Sequence, residues 1–143
     1  MAQQEYVLDA ELVGFEDVRR VIAVRGDLTL VDLHYALQSA FGWDDDHLYA
    51  FWLGGQFWTN ADEHFTHPCA GDEPFDPSER SAAVRLDSLE LDEGLRLAYV
   101  FDFEHEWRVR LHVQSVIAVE GRPSPRLVHA AGTAPLQYAP TAA

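Results

Sequence analysis

The sequence predicts an α+β domain: a curved, mainly antiparallel β-sheet of about six strands with one principal amphipathic helix, about residues 30–41, packed on it. Two observations carry this. Leu30, Leu33, Leu37, Ala40 and Phe41 recur at spacings of three and four, the stripe of a half-buried helix. Leu95, Leu97, Tyr99, Phe101 and Phe103 alternate, as do Trp107, Val109, Leu111 and Val113, which is the period of a strand with one buried face. One helix covers only one face of such a sheet. The other face must curl on itself, lie under a long loop or meet a partner.

The elements follow in order. Tyr6–Val13 and Val18–Val24 read as strands joined by a turn at Gly14, Glu16 and Asp17, hence a hairpin. Arg20 shares the face of Val18 and Ile22, so it needs a carboxylate or carbonyl partner if that face is inward. Gly26-Asp27 breaks the strand. Thr29 is the expected helix N-cap, and Asp32 puts negative charge in the first turn, where the helix dipole favours it. His34 lies beside the leucine stripe, and Gly42 is placed to stop the helix in a left-handed conformation. Asp44-Asp45-Asp46 forms a polar turn into His47 and the strand Leu48–Leu53. Gly54-Gly55 signals a hairpin returning through Gln56 to Thr59.

Residues 60–83 lack sustained periodicity and read as a long acidic loop; Asn60 to Glu93 holds ten acids against two arginines. Val84–Leu91 fits a short strand and one helical turn. The strands 95–103 and 107–113 follow, then a loop at Arg122–Pro125 and an edge strand at Arg126–His129. The expected organisation is a single domain over residues 1–131 and a poorly ordered tail over 132–143.

Composition narrows the function classes. A hydrophobic share of 48% and an aromatic share of 12% belong to a folded globule, and 143 residues suffice for one core without a metal or disulfide staple. Cys69 is the single cysteine, so no internal disulfide forms and a reducing cytoplasm is expected. The N-terminal MAQQEYVLDAE lacks a signal pattern, and no apolar run is long enough to span a membrane. The net charge is −14, and all ten basic residues are Arg. Without Lys there is no Schiff-base chemistry and no phosphate-loop lysine. An acidic domain is repelled by phosphate backbones, so direct nucleic-acid binding is not expected.

At the helix–turn–strand unit, LHYALQSAFGWDDDHLYAF resembles the signature of the Ri-plasmid ORF-three-like family, also described as passenger proteins of insertion elements and carrying a resolvase label. Val18–Val24, VRRVIAV, is similar to that family's Trp-Arg-Arg strand with Val18 in place of Trp. Tyr99–Trp107, YVFDFEHEW, is similar to its Tyr-x-Tyr-Asp-Phe-Gly-Asp-x-Trp hairpin. The resemblance spans about residues 6–115 and implies the α+β fold given above. Glu104 and His105 stand where the family has Gly-Asp, Val109 where it often has His, and its closing polar segment is reduced to Ala134–Tyr138. If those positions carry an activity in relatives, these departures would abolish it here. The resolvase label has no support in the chemistry. A serine recombinase needs an activated serine, an arginine cluster and a basic DNA-binding tail.

Three constellations are candidates for a site. His64-x-x-His67-x-Cys69 offers three zinc donors within six residues, with Asp62, Glu63, Asp72 or water as a fourth. It lacks the paired spacing of a zinc finger, so solvated loop residues are the reading it must displace. His47, Asp102 and His105, with His34, gather near helix and hairpin ends and could form a His–carboxylate acid–base pair. The simpler role is a histidine tying the acidic turn to the sheet. Trp43, Tyr49 and Trp52 sit in a dense aromatic stretch. Leu48–Leu53 is apolar on both faces, so it is either a central strand or one whose second face binds a partner. No nucleophile motif is present, and the acids around Cys69 raise its thiol pKa.

The expectation is therefore a cytoplasmic binding or interaction module associated with mobile elements, without a cofactor, whose partner is a protein or small ligand or a second copy. The alternatives are a zinc-dependent or His/Asp acid–base enzyme and a protein-binding accessory of recombination.

Overall fold

The N-terminal half of the chain builds a hairpin and then lays a helix over it. In the computed structural model, which describes residues 3–15, 17–43, 49–54, 57, 64–66, 79–102, 106–120 and 124–133, β1 (Gln3–Leu12) pairs antiparallel with β2 (Arg19–Arg25). Helix α1 (Leu30–Phe41) follows, then β3 (Tyr49–Leu53), β4 (His64–Thr66) and β5 (Glu79–Ser81). A single 3-10 turn at Leu86–Ser88 leads into β6 (Arg96–Phe101), β7 (Trp107–Val119) and β8 (Arg126–Ala131). The strands form one open, curved sheet in the order β5-β4-β3-β6-β7-β1-β2-β8. Every neighbouring pair is antiparallel except β4 and β5.

Helix α1 has the predicted bounds, and its ends are closed as its sequence requires. Thr29 and Asp32 form a reciprocal capping box: Asp32 N–H donates to Thr29 Oγ1 (3.3 Å) and Thr29 N–H to Asp32 Oδ2 (2.9 Å). Two more first-turn N–H groups, of Leu30 and Val31, donate to the carbonyls of Val84 and Ala82 at 3.2 Å each. Gly42, at φ 73°, is the left-handed stop. The stripe Leu30, Leu33, Leu37 and Phe41 is buried against the sheet, as the sequence demanded.

The helix-facing side of the sheet is the main core. Tyr6, Leu8, Ala10 and Leu12 from β1 meet Leu97, Tyr99 and Phe101 from β6 and Val109, Leu111 and Val113 from β7. Arg20 points into this side, and its partners are carbonyls. Nε donates to Ala40 O (3.0 Å), and a terminal nitrogen donates to Arg19 O and Ala131 O (2.7 Å each). The last helical turn carries no basic residue of its own, and Arg20, whose guanidinium also lies 5.5 Å from the Phe41 ring, supplies the charge that complements the dipole.

The sheet differs from the sequence expectation in two strands. Eight are present, and the additional pair, β4 and β5, falls within residues 60–83, expected to be an irregular loop. Each is three residues long, too short for any alternation to register; β4 is held by pairing with β3, and β5 by pairing with β4 at the edge of the sheet. β3 pairs with β4. Of the expected return strand, Gln56–Thr59, only Phe57 lies among the described residues. The expected tail, 132–143, lies outside the described residues from position 134 onward.

Candidate functional site

Two regions of the sheet hold the residues that chemistry could use, one beneath the helix and one on the opposite face. Beneath the helix, His34 is buried, its ring stacked on Tyr49 at 3.6 Å between centroids and 10° between planes. His34 Nδ1 lies 2.7 Å from the Tyr99 hydroxyl, and Gln38 Nε2 donates to the same hydroxyl at 3.0 Å. With Gln38 donating, the hydroxyl proton is free to point at Nδ1. Polar atoms from α1 and β6 thus meet beside the Tyr49 ring of β3, where hydrogen bonding offsets the cost of burying them. Tyr99→Phe is expected to lower stability by about 1–3 kcal/mol, since it removes a hydroxyl that two buried side chains contact. Urea unfolding checks this; an unchanged midpoint would mean that ring stacking alone places His34.

Among the described residues, the predicted binding residues Trp43, Tyr49 and Trp52 do not share one surface. Trp43 is buried on the helix side, stacked with Phe41 at 4.9 Å and with Phe101 and Trp107 at 5.6 Å each. Tyr49 is buried beside it under α1, whereas Trp52 is buried on the opposite side with Ala50, Ala98 and Val100. The alternation of β3 divides them, and β3 is central, flanked by β4 and β6. Asp102 is buried just after β6 at φ 63°, a left-handed conformation that Asp tolerates better than most residues. His47, His67, Cys69 and His105 lie outside the described residues. Of His64 only the backbone is described, paired opposite Trp52. Gln38 and Tyr99 were not singled out by sequence reading. The available signal was Gln38 itself, a polar residue one turn after His34 on an otherwise apolar stripe.

On the helix-free face, the register sets Arg96 of β6 directly opposite His112 of β7, and Ala98 opposite Arg110. Arg96, Arg110 and His112 are exposed. Arg108 on the same face donates to Glu106 at 2.7 Å, and both Arg108 and Arg110 approach the Phe57 ring, at 5.1 and 6.0 Å. On β1 the face continues with Asp9 and Glu11, which stand opposite His112 and Arg110, and Asp9 forms an ion pair with Arg19 of β2. That pair and the neighbouring Glu11 hold the Arg19 guanidinium above its usual pKa range, the Asp9 hydrogen bond contributing most.

Two concavities lie elsewhere. An acidic cleft of about 370 Å³ is lined by Tyr6, Asp87, Glu90, Asp92 and Glu93 among others. Burial first, then the Asp87 and Asp92 carboxylates, push the Tyr6 phenol up from its ordinary value. A more apolar groove of about 290 Å³ runs between α1 and β8, lined by Tyr35, Ala36, Ala40, Pro125 and Leu127 among others. No group of three or more His, Cys, Asp or Glu side chains able to hold a metal occurs among the described residues. No described helix is long and apolar enough to cross a membrane.

Residues 4–137 match the model of the family described as plasmid pRiA4b ORF-3-like protein. The chain belongs to that family. The match extends the resemblance, carried by residues 6–115 in the sequence, through β8. A family relative, the uncharacterised protein y4hQ of Sinorhizobium fredii, is 30% identical over 119 residues. That alignment covers 82% of this chain, which spans only 57% of the relative's length. Among solved structures, MM3350 of Methanosarcina mazei, described as a protein of unknown function, superposes with a TM-score of 0.74. It is 21% identical, and the match covers 94% of this chain and 72% of that one. At that identity the likeness shows the fold alone.

Proposed function

We propose that this member of the plasmid ORF-3-like family is a non-catalytic, cytoplasmic protein-interaction module whose recognition surface is the helix-free face of the sheet. The observation that supports it is the trio Arg96, Arg110 and His112, exposed on adjacent strands of a chain whose net charge is −14. Arg96 and His112 are cross-strand neighbours, Arg110 is two residues from His112 on the same face and diagonal to Arg96, so the three are spaced by roughly 5–8 Å. Guanidinium groups so arranged suit the planar, two-oxygen geometry of carboxylates, which points to an acidic protein surface as the partner. A nucleic acid would meet the same arginines but also the field of 24 acids, which opposes it at long range. The described histidine beneath the helix is committed to packing and hydrogen bonding, which favours binding over acid–base turnover.

Affinity purification from the source cell with the wild-type chain and with an Arg96→Glu/Arg110→Glu variant tests the proposal. Both positions are solvent-exposed, so the variant is expected to fold. A protein retained by the wild type and lost from the variant is the expected result. A partner held equally by both would place recognition elsewhere, and salt-sensitive retention of nucleic acid would overturn the charge argument.

A further inference from the structure

We infer that the chain self-associates through β8, pairing that strand antiparallel with β8 of a second copy so that the two sheets run on as one. The inference is independent of the arginine face. β8 is the last strand of the sheet on its side, and Leu127, Val128, His129 and Ala130 are all exposed. Leu127 and Val128 are 53% and 47% exposed, and Tyr35 on the adjoining helix is 51% exposed. Natural edge strands are commonly guarded by charges that would be stranded if another strand docked. β8 has no such guard. Its one arginine, Arg126, is drawn back to the buried Glu5 at 2.8 Å. The opposite edge, β5, is three residues long and carries Glu79 and Arg80.

Charge selects a second copy as the occupant. β2, the neighbour of β8, contains no acid, and the exposed Asp17 lies against Gly132, just past the end of β8. The cations of this corner are matched within the chain: Arg19 with Asp9, Arg20 with three carbonyls, Arg25 with Asp27 at 3.0 Å, Arg126 with Glu5. Among the described residues the β8 edge, with Arg20 and Asp17 the charges that no opposite side chain pairs, is therefore a sector of low net charge on a strongly acidic molecule, where two copies can approach with least repulsion. An acidic partner would gain no cation there. A twofold axis normal to the sheet pairs a strand with itself only in the antiparallel sense, and it leaves both helices on one face. The two α1–β8 grooves then face each other across the seam, and Tyr35 and Leu127 of both copies lose their exposure to water.

Sedimentation velocity on the full chain over a wide concentration series tests this, with Leu127→Glu and Tyr35→Glu alongside. The expected result is a monomer–dimer equilibrium in the wild type, with Kd raised at least about tenfold in each variant and far-ultraviolet circular dichroism unchanged. Because both side chains are half exposed in one copy, a charge there burdens the dimer and not the monomer. A wild type that stays monomeric throughout would overturn the inference, and so would a dimer indifferent to both substitutions. Should either variant fail to fold, hydrogen exchange on the wild type decides. β8 amides whose protection rises with concentration uphold the pairing. β8 amides equally protected at every concentration mean that the edge is covered by its own chain, for instance by residues 134–143, and refute it.

Discussion

Trp52→Glu is expected to unfold the protein or leave it grossly destabilised, not to release a partner. Trp52 is 3% exposed on the helix-free side, packed with Ala50, Ala98 and Val100 and bordered by Phe57. Removing an indole of that burial costs about 3–5 kcal/mol by itself. Placing a carboxylate in the same space adds a desolvation penalty of several kcal/mol, or forces the acid to protonate. The total rivals the roughly 5–15 kcal/mol by which a domain is stable. Thermal unfolding followed by circular dichroism measures it, with Trp52→Phe as the control that keeps an aromatic in the cluster. A folded Trp52→Glu with a transition close to wild type would mean that Trp52 faces solvent or a partner, and the two-sided burial of β3 would be wrong.

Arg20→Met is expected to lower stability by about 2–4 kcal/mol, although it replaces a charge with an apolar chain of similar length on a buried face. The reason lies in what Arg20 leaves behind. Its guanidinium satisfies the carbonyls of Ala40, Arg19 and Ala131, and losing the donor leaves these part-buried acceptors without it. It also removes the positive charge from the C-terminal end of α1. The substitution Arg85→Met is the contrast: that side chain and its partner Asp87 are both exposed, so the pair is a surface one and the effect should stay within experimental scatter. Urea unfolding with an unchanged m-value separates the two. Equal effects at positions 85 and 20 would contradict the assignment of Arg20 as the tie between helix, hairpin and β8.

Reading ahead from residues to structure worked where the physics was local. The apolar stripe, the Thr29–Asp32 box and Gly42 fixed α1 at its observed bounds, because capping and periodicity act within a turn or two of the chain. The alternation of β6 and β7 is visible because a strand with one buried face must alternate. That Arg20 needed an oxygen partner was also legible, from its place between Val18 and Ile22. Which oxygens could not be read, since one of them lies 111 residues away. β4 and β5 left no trace, being three residues each, and their existence depends on β3 offering an edge.

By itself, then, the sequence determined the fold class, the helix and its ends, the two-faced strands and the family. Each of these is a property of short-range patterning, burial period or residue identity. The tertiary structure alone decided that His34, Gln38, Tyr49 and Tyr99 meet, that Trp43 and Trp52 belong to opposite faces, and that the β8 edge is both apolar and free of acids on its neighbour. Those facts depend on strand order and register, which bring together side chains up to 65 residues apart through pairings that no local pattern encodes.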